Sequence, residues 1–238
     1  MNLQTKKQKS RNRIDRKLWL GAAFIVAFIL WTVLVRLVDV QPIGPNGSSV
    51  GFAKLNRFVH ETVGVHMALY TVTDWLGLIP IGFVLGFAVL GLVQLIKRKS
   101  LLKVDHNILA LGGFYIFAFA AYFLFEKVII NRRPVLIDGY LEASYPSSTT
   151  MLALCVIPTA MMQLKTRIRN QALKNTVLCM LALFAAFMVI GRLISGVHWL
   201  TDIIGGALLS AGLVTIYAGV CHTGWFRQQP DSALQNRL

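Results

Sequence analysis

An arginine, a histidine and an aspartate stand close together in the C-terminal third of the chain, at the spacing R-x5-H-x3-D. They are Arg192, His198 and Asp202 in the stretch GRLISGVHWLTDIIGG. If the chain is helical from Trp199 onward, His198 and Asp202 share one helix face, so the carboxylate can hold one imidazole nitrogen. Arg192, across a Ser-Gly turn, offers the paired N–H donors with which arginine grips phosphate. The pattern predicts a nucleophilic or basic histidine beside an anion site.

Each of these three residues has a simpler explanation when it is taken alone. A long charged side chain at a membrane surface often does no more than extend its charged end into water. The three residue types together, at this spacing and between two long apolar runs, favour a chemical role over that alternative.

The composition indicates an integral membrane protein. Of 238 residues, 55% are hydrophobic and 14% are charged, and the mean hydropathy is +0.61, which is too apolar for an ordinary soluble domain. The formal charge is +14, but the basic clusters flank apolar runs, so membrane orientation and anionic headgroups explain them. We expect no nucleic-acid partner. The cysteines, Cys155, Cys179 and Cys221, lack paired spacing and predict neither a disulfide nor a zinc site.

The apolar runs predict an all-α bundle of six transmembrane helices, each about 20 residues long. A basic tail, 1–17, is expected to be disordered or bound to the membrane surface, and a polar tail occupies 223–238. Between them lies a membrane domain, 18–222. Residues 50–70 could form an interfacial amphipathic helix, and Asn46-Gly47 is interpreted as a turn. The six predicted spans are 18–38, 75–96, 107–127, 146–164, 175–190 and 202–220.

The distribution of basic residues predicts the orientation of the chain. The N-terminal tail and the connections after the second and fourth spans are rich in Lys and Arg, which places them and both termini in the cytosol. The polar connections after the third and fifth spans then meet at the outer face. A bacterial cytoplasmic membrane is the simplest location for this arrangement.

Three outer segments could together bind a phosphate group. A helix N-terminus ringed by cations is a phosphate site, and a histidine that faces bound phosphate can attack phosphorus to form a phosphohistidine. Neither a metal nor a cofactor is expected, because this face offers too few ligands for a metal. The candidate phosphate-binding residues are Lys127, Arg132, Arg133, Ser147, Ser148 and Thr149.

These residues resemble the signature of the type 2 phosphatidic acid phosphatases, or lipid phosphate phosphatases, over residues 127–206. That signature reads K-x6-R-P, P-S-G-H and S-R-x5-H-x3-D in order on a six-span helical bundle. The resemblance implies a phosphorylated membrane lipid as substrate. It also implies that His198 is the nucleophile, that Asp202 orients it and that Arg192 binds phosphate, with Gly191 in place of the serine.

Two departures from the signature bear on the chemistry. Lys127 to Arg133 is one residue too short, so Arg132 could share the phosphate-binding role. Thr149 stands where the family has a histidine that protonates the leaving oxygen, and a threonine hydroxyl is too weak an acid for that role. We therefore expect a preference for a lipid diphosphate, whose leaving phosphate needs less protonation. The resemblance makes undecaprenyl diphosphate the natural candidate.

Several alternatives stay open at this level. His60 or His66, between the first two spans, could replace the missing acid. The chain could bind or move a phosphorylated lipid without turning it over, or could pass the phosphoryl group to an acceptor other than water. A secondary transporter is disfavoured because the charges lie at span ends and the halves show no repeat. The oligomeric state is left open.

Overall fold

The fold is all-α. A computed structural model describes the backbone of residues 3–227 and the side chains of residues 8, 12 and 14–221. The eight α-helices of this part of the chain are α1 Leu3–Leu37, α2 Ala53–Val63, α3 Met67–Leu76, α4 Leu78–Arg98, α5 His106–Lys127, α6 Ser148–Arg167, α7 Gln171–Ile194 and α8 Leu200–Arg227. Residues 228–238 of the predicted C-terminal tail lie outside the described residues.

The basic segment that precedes the first span is helical in its described part. Helix α1 begins at Leu3 and continues into the span without a break, so residues 3–17 are helical, and their binding to the membrane surface stays a prediction. The reason for the helix is local: this stretch has no proline or glycine, and its many Lys, Arg and Gln residues have high helix propensity.

Six long helices build the bundle, as predicted. Within the described residues, five helical stretches are long and apolar enough to cross a membrane: Ile14–Leu37, Met67–Arg98, His106–Lys127, Gln171–Ile194 and Leu200–Cys221. The sixth is α6, which has 20 residues, or about 30 Å. Thr150, Thr159 and Gln163 make it more polar, and all three are buried against protein. The mean hydropathy of α6 is lower because its polar side chains lie against neighbouring helices and not against lipid.

The second span starts earlier than predicted. Helices α3 and α4 follow one another from Met67 to Arg98, with a break at Gly77. The predicted amphipathic helix exists as α2, but it is shorter than expected because Gly64, with φ of 75°, ends it. The turn at Asn46 and Gly47 is confirmed by positive φ values of 55° and 70°.

Helix α8 lies at the centre of the bundle, in contact with α1, α5, α6 and α7. Glycines allow its close approach to α1: a Cβ added to Gly212 would lie 2.6 Å from Cδ1 of Ile25. Small residues at such crossings let transmembrane helices pack tightly. Trp31 of α1 also donates its indole N–H to the carbonyl of Thr201 at 3.1 Å. The first turn of α8, which carries Asp202, is thus held by the bundle.

The connection between α5 and α6 folds back on itself as a short hairpin, residues 131–144. Ile137 and Tyr140 exchange backbone hydrogen bonds of 3.0 and 2.8 Å around Asp138-Gly139, both of which have positive φ. At the open end of this hairpin, the N–H of Ser144 donates to the carbonyl of Asn131 at 2.9 Å. The sequence pattern predicted only a polar connection here, although Asp-Gly is a strong hairpin signal.

Candidate active site

A tight turn between α7 and α8 presents His198. Gly196 has φ of 69°, and a Cβ at this position would lie 2.0 Å from the carbonyl oxygen of Gly64, so only glycine fits. The carbonyl of Ser195 accepts a hydrogen bond of 3.0 Å from the N–H of His66. The predicted Ser-Gly turn is present, and it packs against Gly64 and His66 in the connection from α2 to α3.

The imidazole of His198 reaches Asp202 through a serine. Nδ1 of His198 lies 3.0 Å from Oγ of Ser144, which in turn donates to Oδ2 of Asp202 at 2.5 Å. The direct distance from Nδ1 to Oδ2 is 3.9 Å, too long for a hydrogen bond. The expected pairing of histidine and aspartate on one helix face is present, but the hydroxyl of Ser144 stands between the two groups.

The hydrogen bonds of this trio specify the histidine tautomer. A serine hydroxyl has one proton, and that of Ser144 goes to Asp202. Nδ1 of His198 must therefore carry the proton that it shares with Ser144, which leaves the lone pair on Nε2. Nε2 is buried and has no hydrogen-bond partner in the described protein. It is the atom with which this histidine could attack an electrophile.

Asp202 is fixed from several sides and is fully buried. Oδ1 accepts a hydrogen bond of 3.1 Å from the side-chain amide of Asn131. Oδ2 accepts a second bond of 2.9 Å from the backbone N–H of Trp199. The carbonyl of Asp202 accepts a bond of 3.1 Å from the N–H of Ser147, at the start of α6. Asp202 therefore ties together the hairpin and α8 through its carboxylate, and α6 through its backbone carbonyl.

Burial lowers the pKa of His198 from its ordinary 6.5 to about 4, and the nearby positive charges of Arg133 and Arg192 act in the same direction, whereas Asp202 opposes them. The side chain of His198 is almost wholly buried. An imidazole in this environment is neutral at physiological pH. It is thus in the protonation state that a nucleophile requires.

This pKa can be tested directly on the protein without substrate. We expect the His198 imidazole to take up its proton near pH 4, because the protonated form is disfavoured in the folded state. The unfolded chain would protonate this residue first, so His198 should reduce stability as the pH falls from 6.5 towards 4. NMR titration of histidine-labelled protein, assigned by the signal missing from His198→Gln, measures the value. Titration of that signal near 6.5 would contradict this electrostatic description.

A polar cavity of about 190 Å³ lies against His198. It is lined by Arg133, Ser144 and Ser148, among others, so segments from the hairpin and from the start of α6 enclose it. Arg133 is almost fully buried and forms an ion pair of 3.0 Å with Glu142, which also lines the cavity. The N-terminus of α6 adds backbone N–H groups that have no partner within the helix.

Several buried polar atoms near this cavity lack a protein partner. They are Nε2 of His198, Nη1 of Arg133, Nε of Arg192 and Oγ of Ser147. Such atoms are rare in native proteins because each costs free energy. A phosphate group carries several acceptor oxygens and would satisfy the cationic and hydroxyl donors together. The arrangement fits a phosphate with His198 facing the phosphorus atom.

Arg192 lies in the last turn of α7 and is buried to 1% exposure, whereas we expected it in the connection after that helix. Its guanidinium stacks over Tyr70, with Cζ 4.7 Å from the ring centroid. It also pairs with Asp74 at 3.4 Å and donates to Oγ1 of Thr73 at 3.3 Å. Helix α3 thus holds the end of this side chain, while Nε is unpaired.

Not every candidate from the sequence lines the polar cavity. Lys127 is exposed at the end of α5, and the guanidinium of Arg132 donates to the carbonyl of Leu141 at 2.8 Å. Thr149 instead lines a neighbouring apolar cavity. Neither His60, whose ring lies against Trp199, nor His66, which contacts the carbonyl of Val63, is among the residues that line the polar cavity.

Four residues of the site were missed by the sequence analysis. Ser144 and Asn131 come from the hairpin, and only their register places them beside Asp202. Tyr70 and Asp74, which contact Arg192, lie in α3. The sequence pattern divides this helix between the amphipathic segment 50–70 and the span 75–96. The Asp138-Gly139 turn signal could have indicated the hairpin, but no local signal specified these contacts.

The apolar cavity has a volume of about 310 Å³ and lies between α4, α5 and α6. It is lined by apolar side chains such as Ile81, Val84 and Phe119. It shares Tyr122, Ser148 and Met151 with the polar cavity, so the two cavities are neighbours. The site therefore combines a polar space at His198 with an adjoining apolar one.

Comparison with known proteins agrees with this geometry. The PAP2 superfamily model matches residues 82–226, which include the hairpin, the start of α6, and His198 with Asp202. A crystal structure of a transmembrane PAP2-type phosphatidylglycerolphosphate phosphatase from Bacillus subtilis is similar in fold, with a TM-score of 0.60 and 17% identity over 90% of this chain and 99% of that one. A search of curated proteins gave no match. The resemblance seen in the motifs is confirmed: this multi-pass membrane protein belongs to the PAP2 superfamily.

Proposed function

We propose that this protein is a membrane lipid phosphatase that cleaves a phosphorylated lipid through a phosphohistidine at His198. The observation that carries the proposal is the unpartnered Nε2 of this buried histidine, which faces a polar cavity also lined by Arg133. The family assignment supports the same reaction class.

The reaction proceeds in two displacements. Nε2 of His198 attacks the terminal phosphorus, and the bond from phosphorus to the lipid-side oxygen breaks as the nitrogen–phosphorus bond forms. Arg133 and the N-terminus of α6 stabilise the equatorial oxygens. Arg192 adds its positive charge and its free Nε. Water then attacks the phosphorus of the phosphohistidine, and the nitrogen–phosphorus bond breaks. The water proton leaves with the inorganic phosphate, and the neutral imidazole of His198 is restored.

The adjoining apolar cavity supports a lipid as substrate. A headgroup phosphate at His198 would leave its hydrocarbon chain beside Met151, which lines both cavities. The apolar cavity could hold part of that chain among side chains of α4, α5 and α6. With the orientation expected from the basic segments, the reaction takes place at the outer face of a bacterial cytoplasmic membrane.

The favoured substrate in this proposal is a lipid diphosphate. Thr149 lines the apolar cavity and has no acidic proton to give, so a strongly basic alkoxide leaving group receives no help from this position. General acid catalysis accelerates such steps by about 10² to 10⁴. A lipid monophosphate is a far better leaving group than an alkoxide. An isoprenoid diphosphate such as undecaprenyl diphosphate fits this requirement.

We expect purified protein to release phosphate from an isoprenoid diphosphate about 10² to 10⁴ times faster than from phosphatidic acid. Phosphate release in detergent, with a chelator present, measures both rates under the same conditions. His198→Ala protein provides the background for each lipid. Faster release from phosphatidic acid would contradict the preference for diphosphates. Tight binding of both lipids without any release would instead indicate a lipid-binding protein.

A further inference from the structure

We propose that Ser144 is a positioning residue that connects the nucleophilic histidine to its carboxylate. The inference rests on the proposed function only for its consequence for the rate; the contact itself is independent of any substrate. Ser144 lies outside the three signature motifs, in the hairpin between α5 and α6.

The interatomic distances show that the hydroxyl of Ser144 connects the imidazole of His198 to the carboxylate of Asp202. Nδ1 of His198 and Oδ2 of Asp202 are 3.9 Å apart, whereas Oγ of Ser144 is 3.0 Å from the first and 2.5 Å from the second. Ser144 is 3% exposed, so bulk water does not compete readily for these bonds. Without the hydroxyl, a proton on Nδ1 would lose its hydrogen-bond acceptor, because Oδ2 of Asp202 is 3.9 Å away, and the preference for this tautomer would disappear.

The hairpin register sets the position of Ser144. Its N–H donates to the carbonyl of Asn131 at 2.9 Å, and the side chain of Asn131 donates to the other oxygen of Asp202 at 3.1 Å. The same pair of hairpin residues therefore holds both oxygens of the carboxylate. This arrangement fixes the hydroxyl between imidazole and carboxylate, and not beside them.

The chemical role follows from the charge that forms on the ring. When Nε2 bonds to phosphorus, the imidazole becomes cationic and its Nδ1–H becomes a stronger donor. The oxygen of Ser144 accepts that bond, while its own proton continues to point to Asp202. No proton has to leave either group, so Ser144 stabilises the cation and keeps the lone pair on Nε2 before attack.

The test compares Ser144→Ala with Ser144→Thr, which keeps the hydroxyl. We expect the alanine variant to lose about 10- to 100-fold in kcat, the range for a hydrogen bond to a group that becomes charged. KM should change little, and the threonine variant should recover most of the rate. Ser210→Ala is the matched control, because Ser210 is equally buried but bonds to Met151 and Cys155 instead.

A second measurement is independent of turnover. Nitrogen chemical shifts of histidine-labelled protein should show the proton of His198 on Nδ1 in the wild type and a mixture of tautomers in Ser144→Ala. If no variant or wild type releases phosphate, the proposed function fails, yet this readout still tests Ser144. Unchanged kcat together with an unchanged tautomer would overturn the inference. If Ser144→Ala does not fold, Ser144→Cys, a weak hydrogen-bonding replacement, takes its place in both experiments.

Discussion

Replacing His198 with alanine should lower phosphate release by about 10⁴-fold or more, since the variant loses the atom that forms the covalent intermediate in the proposed mechanism. The substitution removes a neutral, buried side chain at a turn, so the fold should survive. Release of phosphate from the preferred lipid by wild type and variant measures the effect. Brief reaction with a lipid labelled in its terminal phosphate should also leave acid-labile label on wild-type protein alone.

A second histidine provides the control for this experiment. His60 lies against the indole of Trp199, and burial lowers its pKa, but it is not among the residues that line the polar cavity. His60→Gln should therefore change turnover by no more than about threefold. A large loss in this variant would revive the idea that His60 supplies the missing acid. Residual turnover in His198→Ala close to that of the wild type would exclude the phosphohistidine mechanism.

Arg133→Ala should reduce kcat/KM by about 10² to 10³, the effect of removing one preorganised donor to a transition-state oxyanion. Arg133 is almost fully buried, lines the polar cavity and has an unpaired Nη1. Its loss also leaves Glu142 in the cavity without the ion-pair partner seen at 3.0 Å. The remaining carboxylate would repel an anionic substrate, which adds to the loss.

The adjacent Arg132→Ala variant is matched in charge and position along the chain. Its guanidinium donates to the carbonyl of Leu141 and is not part of the cavity lining, so we expect a loss of less than about threefold. Steady-state rates with the same lipid, beside thermal midpoints in detergent, compare the two variants. Equal losses would show that general positive charge, and not the position of Arg133, determines phosphate binding.

The arginine pair shows what the spacing of a motif can and cannot predict. Because Lys127 to Arg133 is one residue shorter than the family signature, the sequence left the role divided between Arg132 and Arg133. Extended backbone along the first arm of the hairpin turns the two neighbouring side chains in different directions. Arg133 lines the cavity, whereas Arg132 donates to the carbonyl of Leu141 in the opposite arm. The register of the hairpin, which no local pattern specified, makes this distinction.

Helix α6 shows a related limit. Hydropathy detects a span by its contact with lipid, and α6 is shielded from lipid by other helices. Its buried threonines and glutamine lower its hydropathy below that of the other five. The apolar run at 146–164 still predicted a span here, and Pro146 followed by Ser and Thr residues is typical of a helix start. A membrane helix that is covered by other helices is best recognised from its apolar run together with its helix-start residues.

The sequence by itself determined the membrane class, the order of the helices and the segments that carry His198, Asp202 and Arg133. These features depend on local pattern: apolar length, basic flanks and the spacing of residues along one helix. The tertiary structure alone decided that Ser144 separates His198 from Asp202 and that Tyr70 and Asp74 hold Arg192. Those contacts join residues more than 50 positions apart, so they depend on how hairpin and helices pack and cannot be read from spacing along the chain.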